Sequence, residues 1–538
     1  MNKFSKSVLL GTFNLLLFSN YSFAKEYNIY FDKSNYEIKT IKINEQEIKI
    51  RAYEDIVYVK NPVDIEYQTL NFYVPEDYFE LKKINGFDLN SAPIFLPNKV
   101  GGYMPSKAEK LVENRENEKK SEDIMPPRGD KKPMHGEMPP RGEFKLSNSN
   151  MPQGGDRPNR NGKRNRVNTT AVALSKGYVV VIPGVRGRTL QNQSGAYTGK
   201  APAAIVDLKA VVRYLHFNDK EMPGDANKII SNGTSAGGAL SALLGASVDS
   251  KDYEEYLDML GAPKASDSIF AVSAYCPITN LENADMAYEW LLNGVNEYKK
   301  LKMNSMVDFN QQREIQVGGM SNEEITLSNE LKQLFPNYVN SLNLKDEEGK
   351  LLTLDKNGNG TFKEYIKKII INSAQKALES GADLSSFDWL KISNSNVIDL
   401  DFEGYAKHLG RLKVTPAFDS LDLSSAENNL FGTAKIDALH FTNFSQNKSS
   451  VKNSLAEEKF IKMMNPMSYV NRENLPKYWR IRHGEMDSDT SIAVSAILAL
   501  KLKNNGYKVD YFSPWATPHS GDYDLDELFT WMDNITRQ

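Results

Sequence analysis

KIISNGTSAGGALSALLGA, residues 228–246, reads as a strand, a turn and a helix in immediate succession. Lys228 to Asn232 is an apolar strand segment, Gly233-Thr234-Ser235-Ala236-Gly237 is a G-x-S-x-G turn, and Ala239 to Ala246 has the composition of a helix. In that context glycines allow a turn too sharp for larger side chains, which lifts the serine oxygen above a sheet edge at the positive end of the following helix. Ser235 is therefore the expected nucleophile. The competing reading is a Gly/Ser helix start that merely packs closely.

Strand and helix signals alternate outward from this stretch. Toward the N-terminus, Ile41 to Ile50 and Thr69 to Val74 alternate like strands, Ala92 to Pro97 is an apolar strand, and Val100-Gly101-Gly102-Tyr103 follows it as a turn. Gly177 to Pro183 is a buried strand, and Ala201 to Asn218 places Ile205, Leu208, Val212 and Leu215 on one helical face. Toward the C-terminus, Ile269 to Ala274, Tyr478 to Arg482 and Val509 to Phe512 are strands. An amphipathic helix is expected at Ser491 to Asn504 and a last helix at Asp524 to Ile535. Such alternation implies a mostly parallel sheet, hence an α/β protein, and the G-x-S-x-G turn between strand and helix makes an α/β-hydrolase core the expected form. Two intervals interrupt it. Pro105 to Asn168 repeats Met-Pro-Pro-Arg-Gly at 125 and 138 and has too few apolar residues to build a core, which predicts a disordered insertion. Pro277 to Asn465 reads as mainly helical and predicts a lid domain inserted between the sixth and seventh strands. The expected division is 1–24 signal peptide, 25–276 and 466–538 hydrolase core, the first part interrupted at about 105–168, and 277–465 lid.

Composition narrows the function. A chain of 538 residues with 40% hydrophobic and 25% charged residues is a folded protein larger than one small module. Lys plus Arg total 66 against 69 Asp plus Glu, a net charge of −3, which lacks the positive field of a nucleic-acid binder. Lys3 and Lys6, the apolar run that follows, and Ser22-Phe23-Ala24 before Lys25 form a secretory leader pattern, so the protein is expected to be exported, periplasmic or extracellular. The run is broken by Asn14 and is short of the roughly 20 apolar residues of a membrane span. No span is expected after cleavage. The single cysteine, Cys276, has no intramolecular disulfide partner.

A serine nucleophile needs a base, and the base needs a carboxylate to fix its tautomer. The hydrolase chain order is serine, acid, histidine, with the last two in loops after late strands. Of the six histidines, His135 lies in the polar insertion, His216 precedes the serine, His408 and His440 fall in the inserted domain, and His483 precedes the acidic loop that follows its strand. His519 alone follows both the serine and that loop. The acid is Asp487 or Asp489, and the second of these needs another task unless it caps the helix beginning near Thr490. The oxyanion donors expected are the Ala236 amide and the amide of Gly102, where a glycine lets the backbone approach substrate closely. No cofactor is required for this chemistry. Asp355, Asn357 and Asn359 open a segment like a calcium loop, but its twelfth position is Ile366 rather than Glu, so a structural calcium competes with a plain Asn-Gly turn.

GTSAGGALSALLGAS (233–247), PNKVGGYMP (97–105), VSAYCPITNLENADMAYEW (272–290), TPAFDSLDLSSAENNLFG (415–432), RIRHGEMDSDTS (480–491) and PHSGDYDLDELF (518–529) resemble bacterial tannases. The resemblance covers nearly the whole mature chain. It implies an esterase that cleaves galloyl esters and depsides through an acyl-enzyme and releases gallic acid, with Ser235, Asp487 and His519 as triad. It further implies that Asp489, Lys413 and Glu427 face the ring hydroxyls and that Ile278 packs on the ring. Ala426 departs from a proline expected beside the ring. Two other functions fit the same residues less completely: a feruloyl-type or other aromatic carboxylesterase, and a non-catalytic surface protein that binds polyphenol or glycan.

Overall fold

The structure, a computed structural model, describes residues 26–43, 46–111, 168–303, 313–452 and 454–537. The leader at 1–24 and residues 112–167 of the polar insertion lie outside them. The strands are β1 (Glu37–Ile43), β2 (Gln46–Val57), β3 (Thr69–Pro75), β4 (Pro93–Asn98), β5 (Val179–Pro183), β6 (Asp225–Thr234), β7 (Ala271–Tyr275), β8 (Glu297–Met303), β9 (Arg313–Gly319), β10 (Leu390–Ser393), β11 (Asn396–Leu400), β12 (Tyr478–Arg482) and β13 (Lys508–Phe512). Nine of them form one sheet in the order β1-β2-β3-β5-β4-β6-β7-β12-β13. The run from β5 to β13 is parallel, and β1, β2 and β3 extend it as antiparallel strands. Central strands of a parallel sheet are covered on both faces, and Val179-Val180-Val181-Ile182 is accordingly buried without alternation.

The helices are α1 (Thr169–Ser175), α2 (Ala203–Asn218), α3 (Ala236–Ala246), α4 (Glu254–Met259), α5 (Leu281–Leu292), α6 (Asn322–Ser341), α7 (Thr361–Glu379), α8 (Phe402–Leu409), α9 (Ala426–Leu430), α10 (Asn443–Asn447), α11 (Glu458–Met463), α12 (Ile492–Asn504) and α13 (Leu525–Thr536). One continuous apolar core runs from the sheet into the insertion, from Phe95 and Ile230 to Phe335 and Phe362.

Three expectations need correction. The alternating stretch 41–50 is not one strand: β1 and β2 pair antiparallel with Ile43 opposite Gln46, so the large insertion follows the seventh strand of the sheet. Alternation persists through a tight reversal and does not reveal it. Residues 277–465 are mainly helical as expected, with two antiparallel hairpins, β8–β9 and β10–β11, added among the helices. The polar insertion begins later than Pro105: Ser106 pairs with Val185, Leu111 is buried and its amide donates to Tyr73 Oη at 3.1 Å, and Asn71 Nδ2 donates to the Ala108 and Glu109 carbonyls. At the other end Asn168 caps α1 by accepting from the Thr170 amide. Finally, α12 is not amphipathic. Ile492 to Leu500 are all buried because the inserted helices α5 and α7 cover the side that would otherwise meet water.

The parallel register places the chemistry. Thr234 pairs with Tyr275, Tyr275 with Arg482, and Arg482 with Phe512. The carboxyl ends of β6, β7, β12 and β13 are therefore level, and the residues that follow them share one edge, where ligands of open α/β sheets bind.

Candidate active site

Ser235 sits at the sharp turn from β6 into α3 with φ 61° and ψ −123°, a positive φ that few non-glycine residues adopt. The turn is tight enough that a side chain at Gly233 would collide with the Gly237 carbonyl, and one at Gly237 would reach 2.7 Å from the Asn98 carbonyl. Both motif glycines are thus required by close backbone approach. Asn98 Nδ2 donates to the Gly237 carbonyl at 3.1 Å, so the loop after β4 is clasped against the nucleophile turn. Gly102 in that loop has φ 54°, and no atom stands within 4 Å of where its Cβ would project. The Ala236 amide opens α3 beside Ser235.

His519 Nδ1 donates to Asp487 Oδ2 at 2.8 Å. That bond leaves Nε2 as the acceptor a base requires. Asp487 is buried and also accepts the Asp489 amide at 2.9 Å. Burial favours its neutral acid, but the charges of His519 and His483 and the hydrogen bonds to it overcome that and hold the carboxyl below its usual range. For His519, burial opposes the charged ring, yet the Asp487 charge and hydrogen bond prevail and raise it well above an ordinary histidine. Ser235 and His519 are level across the strand ends but not hydrogen-bonded to each other, a contact that commonly tightens only when substrate is bound. Three other described histidines hold no comparable carboxylate hydrogen bond. His216 contacts the Ser268 carbonyl, His408 packs on Phe387 and Trp389, and His483 lies buried with neither nitrogen partnered, 4.0 Å from Asp487.

A base held this high is charged at low pH, and its active neutral form appears only as pH rises through the raised value. The kcat/KM of the free enzyme should therefore climb along a limb centred above the ordinary histidine value of about 6.5, and Asp487→Asn should move that limb downward. A limb at or below 6.5 in the wild type would contradict the coupling.

Asp489 does not cap α12, whose cap is Ser491 accepting from the Ala493 amide. Its Oδ2 instead meets Lys413 Nζ at 3.2 Å. Lys413 lies over the Phe418 ring, and although burial opposes its charge, Asp489 and Glu427 raise it. Glu427 is buried at the start of α9, where burial raises its carboxyl and Lys413 partly counters this. Ile278 is buried beside the nucleophile: its amide donates to the Ser235 carbonyl at 3.4 Å and its carbonyl accepts from Tyr103 Oη at 3.1 Å. Ala426 is the first residue of α9 behind the Ser425 cap, a position that also tolerates proline, so the departure leaves the helix intact.

Four supports were missed in the sequence. Arg188 donates to the Gly102 carbonyl at 2.8 Å and to Asn429 Oδ1 at 2.9 Å, tying the glycine turn to α9. Arg411 and Glu289 form a fully buried bidentate ion pair at 2.6 and 2.7 Å, joined by Thr415 and Ser328 hydroxyls, which anchors the loop carrying Lys413. Asp285 accepts the Phe418 and Asp419 amides, and burial pushes its carboxyl up to about 7. Asp419 accepts from His440 Nδ1 at 2.6 Å, and His440 Nε2 meets Ser449 Oγ at 2.8 Å. This second Ser, His, Asp array is a structural clasp, since Ser449 Oγ faces the Leu421 and Val451 carbonyls, acceptors where an oxyanion would need donors. All four supports use residues whose partners lie far along the chain. Arg411→Met should cost about 3–5 kcal/mol of unfolding free energy, because it leaves Glu289 charged, buried and unpaired. Denaturant titration checks this, and a loss under 1 kcal/mol would mean that the pair does not hold the loop.

The segment expected to open a calcium loop is hydrogen-bonded within itself. Asp355 Oδ1 accepts the Asn357 and Asn359 amides, Asn359 Oδ1 accepts Lys363 Nζ at 2.9 Å, and Ile366 is in the core. A lysine ammonium on a would-be ligand and a leucine-like side chain at the bidentate position make this the turn that starts α7.

Comparison with known proteins matches this arrangement over the full fold. The crystal structure of Fusobacterium nucleatum tannase is 50% identical, with 95% of this chain and 100% of that chain covered and a TM-score of 0.84. The chain belongs to the bacterial tannase family. The native tannin acyl hydrolase from Lactobacillus plantarum is 41% identical, over 94% of this chain and 99% of that one, with a TM-score of 0.80. A tannin acyl hydrolase in complex with ethyl gallate matches at the same identity, coverage and TM-score. A family model described as BD-FAE matches residues 154–317. A search of curated proteins finds no match. Family membership agrees with the α/β-hydrolase core read from the 228–246 stretch.

Proposed function

We propose that the protein is a serine esterase that hydrolyses galloyl esters, with Ser235, His519 and Asp487 as its triad. The observation that carries this reading is the His519–Asp487 hydrogen bond at the level of the Ser235 turn, beside a half-buried Lys413–Asp489 pair. The family supplies the substrate class: one relative is a tannin acyl hydrolase in complex with ethyl gallate and another is in complex with 3,4-dihydroxybenzoate.

The geometry suits the chemistry. His519 Nε2 takes the Ser235 proton as Oγ attacks the galloyl carbonyl, and the amides of Ala236 and Gly102 hold the oxyanion. His519 then protonates the leaving alcohol. Water attacks the acyl-enzyme by the same route and releases gallate. Asp489 and Glu427 are acceptors for ring hydroxyl protons, and Lys413 is a donor to a hydroxyl oxygen. Ile278 offers the ring an apolar face. The leader pattern supports export, with the mature chain starting at Lys25.

The test is labelling of Ser235 by a fluorophosphonate together with release of gallic acid from methyl gallate. Both should be lost in Ser235→Ala. A wild-type protein that binds methyl gallate but neither labels nor turns it over would be the non-catalytic binder instead.

A further inference from the structure

Cys276 is the first residue after β7, and its Sγ lies 3.9 Å from His519 Nε2. The thiol, an oxygen of Asp487 and a nitrogen of His519 lie within 4.8 Å of one another. Among the described residues this is the one such grouping of three His, Cys, Asp or Glu side chains. It lies at the reacting centre, and esterase chemistry gives the sulfur no task.

We propose that Cys276 and His519 form a binding site for a thiophilic divalent cation of the zinc and cadmium class, which switches the enzyme off. The inference rests on His519 being the base of Ser235. Sulfur and imidazole nitrogen bind zinc at about 2.3 and 2.0–2.1 Å, and the larger cadmium ion at longer distances. Those lengths sum to more than 3.9 Å, so one ion bridges the two atoms at a bent angle as they stand. Asp487 holds Nδ1 and thereby presents Nε2, the same carboxylate–histidine arrangement that orients metal-ligating imidazoles. Asp489 Oδ2 stands 3.9 Å from Nε2, its charge shared with Lys413 Nζ. Binding involves no redox change: the thiol proton leaves to solvent and its hydrogen bond to the Ser520 carbonyl is given up, a sulfur lone pair forms one bond to the cation, the Nε2 lone pair forms the other, and water fills the remaining positions. With that Nε2 pair engaged, no acceptor remains for the Ser235 proton. Hard ions such as magnesium prefer oxygen donors and do not compete for this pair.

The experiment uses cadmium on the full-length protein, with magnesium as control and a chelator for reversal, and compares wild type with Cys276→Ser and Cys276→Ala, each against its own metal-free rate. Two signals are read: the rate of fluorophosphonate labelling of Ser235, and the ultraviolet cadmium–thiolate band. In the wild type cadmium should raise the band and slow labelling together, and the chelator should reverse both. Loss of an orienting partner alone weakens metal sites by about 10- to 100-fold, so both variants should need at least about a hundredfold more cadmium and show no band. Equal cadmium sensitivity in wild type and variants, or no band in wild type, overturns the site. A band without slower labelling overturns the inhibition. Failure of metal-free wild type to label would count against the serine-esterase reading instead, and the band would still report the site by itself.

Discussion

Asp487→Asn should lower kcat on methyl gallate by about 10⁴-fold while leaving the fold intact, the size of effect seen when a triad carboxylate is replaced by its amide. The reason is specific to one bond. Asp487 Oδ2 accepts the His519 Nδ1 proton at 2.8 Å, and a carboxamide in its place can present an N–H there, which favours the tautomer with the proton on Nε2. A base protonated at Nε2 cannot accept the Ser235 proton. Asp489 is 3.9 Å from Nε2 and paired with Lys413, so Asp489→Asn should leave fluorophosphonate labelling of Ser235 near the wild-type rate. The two variants measured side by side on labelling rate decide the assignment. Equal loss of labelling in Asp489→Asn would exchange the roles of the two aspartates.

Ring recognition should produce the second large effect. Glu427 is buried and the Lys413–Asp489 pair half-buried, and a substrate that lacks the hydroxyls they meet leaves them short of hydrogen-bond partners. Sites built to bond a hydroxyl reject the analogue without it by about 10⁴-fold. Methyl gallate should therefore be turned over well, methyl protocatechuate less well, and methyl ferulate at about 10⁻⁴ of the gallate kcat/KM, since ferulate blocks one hydroxyl with a methyl and lengthens the acid by a vinyl unit. Asp489→Ala should cost a few kcal/mol of transition-state stabilisation on gallate, about what losing a buried charged partner costs. Comparable kcat/KM for gallate and ferulate esters would remove the hydroxyl-reading role and favour the broader aromatic carboxylesterase.

Much of the core was legible from local pattern. The G-x-S-x-G turn between an apolar strand and a small-residue helix, the order of Ser235, the acidic loop and His519, and the parallel alternation all depend on residues a few positions apart. Where local pattern misled, a distant segment was responsible. The helix at 492–504 was expected to show one apolar face, but it is buried along most of its length because α5 and α7 lie over it. Ser106 to Leu111 looked like the start of a polar insertion, but hydrogen bonds to Val185, Tyr73 and Asn71 hold them on the sheet.

The role of Asp489 shows the same division at the site. Its spacing from Thr490 allowed a helix cap, and only the fold shows Ser491 in that place and Lys413 beside the carboxylate across 76 positions of sequence. Arg411 and Glu289 are 122 positions apart, and Asp285 receives amides from residues 133 and 134 positions away. By itself the sequence determined the class of fold and singled out Ser235 as candidate nucleophile, His519 as candidate base and a choice of two acids, because turn sterics, hydrophobic period and chain order are local properties. The tertiary structure alone decided which charges face one another around the ring site and that a thiol stands against the catalytic imidazole. Such pairings depend on strand register and on loops meeting at one sheet edge, and neither is written in the spacing of residues along the chain.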